Sequence, residues 1–130
     1  MMYRNTRVYV AGAYSSNNVL GVLENMRLGM RASKDVMLAR LAPFCPWLDY
    51  HFWLMLDDGE TLTVDDFYEY SMAWLAASDA VLVVNNPANI DSVGLKKELD
   101  LARQLRIPIF NTVERLKDWD DAKRGEELFG

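Results

Sequence analysis

The sequence is short of several things, and each shortage narrows the choice of function. It holds one cysteine, Cys45, so no internal disulfide can form and a reducing compartment is expected. Beside Pro46, that cysteine reads as inert packing. It holds one histidine, His51, which leaves no material for a multi-histidine metal cluster. No run approaches the roughly 20 apolar residues of a membrane span. The opening MMYRNTRVYVAGAY has no long apolar stretch, so no signal peptide is expected and a cytoplasmic location is. Excess basic charge is missing as well. A net charge of −5 argues against duplex nucleic acid, which is held mainly through Lys and Arg contacts to phosphate. A small anion stays compatible, because a helix N-terminus can hold one locally.

What is present is globular: 130 residues, 51% hydrophobic and 25% charged, with no internal repeat, low-complexity tract or linker. One domain over 1–130 is expected. RVYVAG, 7 to 12, reads as a buried strand ending in glycine. A helical pattern runs from Asn18 to about Leu41, and PFCPW, 43 to 47, is a short extended piece. LDYHFWLML, 48 to 56, carries no clear period. Asp57-Asp58-Gly59 signals a turn, and Thr63 with Asp66 caps a helix to about Ser78. AVLVV, 80 to 84, is apolar throughout, as a strand covered on both faces is. NNPANIDS is a loop before a helix from about Val93 to Leu105. IPIF, 107 to 110, is the last strand, and 113 to 128 a last, solvated amphipathic helix. Strands alternating with helices imply an α/β open sheet, four or five mostly parallel strands with helices on both faces.

Ligands in such sheets bind beyond the carboxyl ends of strands. Two loops qualify: GAYSSNN, with Gly12, Ala13, Tyr14, Ser15, Ser16 and Asn17, and NNPANIDSVG, with Asp91, Ser92 and Gly94. Either is also readable as an ordinary capped turn. Glu98 decides between them. At about 100° per residue, Leu95, Leu99, Leu101, Ala102 and Leu105 share one helix sector, and Glu98 lies in its middle. A carboxylate there must be paired, neutralised or used. Gly94, four residues back, is expected to leave open space above it, and Ser92 to cap the helix beside an anion. The aromatic cluster Trp47, Tyr50, Phe52 and Trp53 suits core and interface packing, or a wall for a nucleobase, with His51 a packed or rim residue.

The combination S-x-G-x-x-x-E (Ser92, Gly94, Glu98) after SDAVLVV resembles the nucleoside 2-deoxyribosyltransferase-like superfamily. YSMAWLAASDA before it, LARQLRIPIF after it and the opening VYVAGAYSSNN…ENMR extend that resemblance over about residues 7 to 111. Its nearest likeness is to the 2'-deoxynucleoside 5'-phosphate N-hydrolases and related phage and bacterial proteins. The resemblance implies a Rossmann-like (flavodoxin-like) fold and cleavage of an N-glycosidic bond in a nucleoside or its 5'-monophosphate. It makes Glu98 the nucleophile, Tyr14 its orienting residue, and Gly12, Ala13, Ser15, Ser16, Asn17, Asp91, Ser92 and Gly94 the substrate-binding set. It implies no metal or organic cofactor, and a homodimer or higher homo-oligomer. Serine at 92, where the transferases carry an acid, suits a 5'-phosphate. The hydrolases carry a base-assisting aspartate three residues before the tryptophan. That position here is Ser71, with Glu69, Asp66 or Asp65 as substitutes. The other function class compatible with this pattern is a non-catalytic nucleotide-binding or sensing module.

Overall fold

Alternation along two short strands builds the core. In strand β1 (Arg7–Ala11), Val8 and Val10 enter one apolar cluster while Tyr9 and Ala11 enter another on the opposite face. Strand β3 (Ala80–Val83) does the same: Ala80 and Leu82 face the first cluster, Val81 the second. In this computed structural model, which describes residues 3–129 and side chains as far as 126, the two strands pair in parallel. Val8 lies opposite Ala80 and Ala11 opposite Val83. Met1 and Met2, at the head of the segment expected to be no signal peptide, fall outside the described residues. Strand β2 (Ala42–Phe44) flanks β1 and strand β4 (Ile109–Phe110) flanks β3, giving the order β2-β1-β3-β4. All of the pairings are parallel, so the sheet has four strands.

Helices cover both faces. Helix α1 (Val19–Leu38) and helix α5 (Val113–Phe129) supply Val36 and Leu116 to the Val8 side. Helix α3 (Val64–Ala76) and helix α4 (Val93–Gln104) supply Leu75, Leu95 and Ala102 to the Tyr9 side. Among the described residues no helix is long and apolar enough to cross a membrane.

Boundaries differ from the periodicity where a turn intervenes. Helix α1 stops at Leu38 because Arg40 adopts a left-handed φ of 67°, which turns Leu41 into the core. The proline-bounded 43–47 piece is extended only to Phe44; Pro46 then starts a 3₁₀ turn over Pro46–Asp49, where its fixed φ is already suitable. That turn runs into helix α2 (Tyr50–Leu54), the aperiodic aromatic stretch. Pro87 likewise opens a 3₁₀ turn over Pro87–Asp91 inside the expected loop. The capping box on α3 is present as the sequence implies: Thr63 Oγ1 accepts from the Asp66 N–H at 3.2 Å and Asp66 returns the bond to the Thr63 N–H at 2.7 Å.

The last helix is less solvated than its composition suggests. Leu116 is buried, and Asp120, also buried, accepts from the Thr6 hydroxyl and pairs with Arg4 (2.7 Å) and Arg124 (2.9 Å). Trp47, alone of the aromatic cluster, is core; its ring lies flat against α1, where a Cβ on Gly29 would sit 2.2 Å from it. We therefore expect Gly29→Ala to destabilise by about 1–3 kcal/mol through overpacking, read as a lower urea midpoint.

Candidate functional site

The loops after β1 and β3 meet beyond the carboxyl edge of the sheet, and asparagine side chains hold them there. Asn89 donates to the Val84 carbonyl at 2.7 Å and accepts the Ala13 N–H at 2.9 Å, so it ties the two loops together. Asn25, buried on α1, donates to the carbonyls of Tyr14 (3.1 Å) and Ser15 (3.3 Å) and accepts from Asn86 at 2.8 Å. Trp47 Nε1 donates to the Ala13 carbonyl at 3.2 Å. An amide side chain supplies both a donor and an acceptor, as a backbone segment without a ladder partner requires.

Between these loops, α3 and α2 lies a cleft of about 830 Å³. The structure brings nine of the ten sequence-predicted residues to it: Gly12, Tyr14, Ser15, Ser16, Asn17, Asp91, Ser92, Gly94 and Glu98. Ala13 is the exception. It is buried, with its N–H and carbonyl both committed to holding the loop. Gly12 is buried as well, where a Cβ would crowd Val84 and Trp47 at 3.1–3.2 Å. Ser15, Ser16, Asn17 and Asp91 are exposed at the rim. Ser92 caps α4, accepting the Leu95 N–H at 3.1 Å.

Two expectations are corrected. Gly94 does not leave open space above Glu98: the Tyr68 hydroxyl packs over it, 2.6 Å from where a Cβ would stand. The glycine lets α3 approach α4. Tyr14 does not orient Glu98 either; its hydroxyl donates to Asp49 Oδ1 at 3.0 Å. The group beside Glu98 is Tyr9, which reaches sheet level from β1. Its hydroxyl is directed at Ser71 and Glu98, yet neither Tyr9 Oη nor Glu98 Oε2 completes a hydrogen bond.

That environment sets the charge states. Burial pushes the Glu98 carboxyl up to about 8, with the Tyr9 hydroxyl pulling weakly the other way. Burial, then the charge on Glu98, drives the Tyr9 phenol far upward. Asp49 is also raised by burial, against the opposing Tyr14 hydroxyl and Tyr50 N–H. Burial raises the Cys45 thiol, which keeps it protonated, in line with inert packing. No Lys, Arg or His lines the cleft among the described residues. Arg27, the nearest basic residue after the first loop, pairs with Glu24 at 3.0 Å. Among the described residues no three His, Cys, Asp or Glu side chains stand close enough together to hold a metal ion.

Ser71 is buried on the cleft wall, whereas Asp65, Asp66 and Glu69 are exposed and outside the lining. Of the aromatics, Trp47, Tyr50 and Trp53 line the cleft; His51, Tyr50, Phe52 and Trp53 are exposed, because the short α2 stands away from the sheet. Tyr9, Asp49 and Tyr68 are additions to the sequence-derived site. The signal for Asp49 was available, since WLDYHFW sets one charge in an aromatic run. Tyr68 has no comparable signal. No family model matches the chain, and no curated protein matches it.

Two measurements follow from this geometry. Asn89→Ala strands the Ala13 N–H and the Val84 carbonyl, so a loss of about 1–3 kcal/mol is expected in chemical denaturation. Folded Glu98 holds its proton from an ordinary 4.5 up to about 8. Across that window the unfolded chain has the fewer bound protons, so stability falls as pH rises. Glu98→Gln removes the dependence: its melting temperature should exceed the wild type's near pH 8, and the gap should close toward pH 5.

Proposed function

We propose that the protein cleaves the N-glycosidic bond of a nucleoside 5'-monophosphate or nucleoside, with Glu98 as nucleophile and water or a second base as acceptor. The observation that carries this reading is the Glu98 carboxyl itself. It lines the cleft, yet its Oε2 is buried without a partner. A structural acid on a helix–sheet seam is paired; this one lines a cleft and leaves an oxygen buried without a partner. Attack at the sugar carbon replaces an oxocarbenium-like state with a covalent glycosyl ester, dividing one hard displacement into two easier ones. The resemblance of residues 7 to 111 to the nucleoside 2-deoxyribosyltransferase-like superfamily supports the same reading.

The cleft lacks cationic side chains, so a phosphate would rest on helix N-termini. The start of α4 offers the N–H groups of Val93 and Gly94, which the Ser92 cap leaves unclaimed, and the Ser92 hydroxyl can donate. The start of α1 adds the exposed Ser15, Ser16 and Asn17. Tyr50 and Trp53, both on the cleft lining, give the base a stacking wall.

One observation favours a second reading, a nucleotide-binding module without turnover. The family's aspartate position holds Ser71, which cannot donate a proton as an acid does. Chromatography of free base released from a panel of deoxynucleoside 5'-monophosphates and nucleosides separates the two. We expect release by the wild type and a loss of at least about 1,000-fold in Glu98→Ala, with the melting temperature of that variant retained. Thermal shift with a nucleotide but no base release would establish the binding module instead.

A further inference from the structure

Four acids line the cleft: Glu24, Asp49, Asp91 and Glu98. Glu24 is exposed and paired with Arg27, and Asp91 is exposed at the rim. Asp49 differs from both. It is 9% exposed, has no cationic partner among the described residues, and is held by the Tyr14 hydroxyl at 3.0 Å with the Tyr50 N–H beside it. It enters the cleft from the turn after β2, next to Tyr50 and Trp53, whereas Glu98 enters from α4. Two sheltered carboxyls on separate elements therefore share one cleft, one of them at the aromatic end.

From this arrangement we infer that Asp49 is the proton donor to the departing base, with Tyr14 as its positioning residue. The inference rests on the glycosidic reaction proposed above. A base leaving as a nitrogen anion would be stranded in an apolar cleft, so a proton must reach it as the bond breaks. A pair of carboxyls, one attacking and one protonating, is the general solution for displacement with retention. In the first step a Glu98 oxygen forms a bond to the sugar carbon, and the carbon–nitrogen bond breaks with its electron pair going to the base. The Asp49 proton passes to the base, leaving Asp49 ionised. In the second step water attacks the same carbon and gives its proton to Asp49. The ester bond breaks, and its electron pair returns to Glu98.

The pair needs one proton in total. Burial raises both carboxyls, and Glu98 carries the proton in the free protein. The role given to Asp49 requires that proton to pass to Asp49 as positive charge growing on the sugar ring favours the ionised form of Glu98. The other titratable groups around Asp49 are Tyr9, Tyr14, Cys45 and Tyr50. Lys34 shares the outer apolar groove with Asp49 but pairs with Asp35 at 2.9 Å.

The test compares two substrates: the best-cleaved nucleoside 5'-monophosphate of adenine, guanine or cytosine and its counterpart methylated at purine N7 or cytosine N3, whose cationic base departs neutral without a proton. Asp49→Asn is expected to slow release from the first by about 100- to 10,000-fold and to leave the second within a few-fold of wild type. Tyr14→Phe keeps the acid and loses its support, so it should show a smaller loss with the same selectivity. It also serves if Asp49→Asn does not fold. Glu98→Gln should lose both substrates. Equal slowing of both by Asp49→Asn, or a wild-type rate on the unmethylated one, overturns the role of Asp49 alone. A wild type that releases neither base, or a Glu98→Gln that releases both at the wild-type rate, overturns the glycosidic reaction and this role with it.

Discussion

A sheet covered on both faces leaves no water at its middle, and that constraint organises this protein. β1 and β3 put apolar side chains to both sides, so a polar atom at sheet level must find a protein partner. Among the described residues only Tyr9 Oη and Glu98 Oε2 are buried side-chain atoms without one. They face each other across the seam between β1 and α4. The pair itself is left unsatisfied, and burial holds the proton on the carboxyl well above the ordinary range.

The rest of the site is fixed by hydrogen bonds rather than by packing. Asn25, Asn86 and Asn89 connect the loop after β1 to the loop after β3, and Trp47 anchors the same backbone from the core. Because these bonds are made within the protein, the cleft is shaped before any ligand arrives. Preorganised groups of this kind do not have to rearrange when charge develops beside them.

The electrostatics are one-sided. The cleft carries carboxyls and hydroxyls but no cationic side chain among the described residues, so the positive potential available to an anion comes from the first turns of α1 and α4. Tyr50 and Trp53 line the same cleft.

By itself the sequence determined the fold class, the strand and helix order outside the short α2, the capping box at Thr63 and the place of Glu98 in an apolar sector. Each is written in local chemistry: period, cap residues, or one charge in an apolar sector. Two-sided burial of β1 was legible too, but not that Tyr9 would come to rest beside Glu98, since that contact joins residues 89 positions apart. Tertiary structure alone decided that Tyr14 donates to Asp49, that Tyr68 fills the space at Gly94, and that asparagines on α1 and on the turn after β3 tie the loops. It also moved most of the aromatic cluster out of the core. Helix–helix approach and loop pairing set those contacts. They depend on where whole elements pack, and no spacing within one element records that.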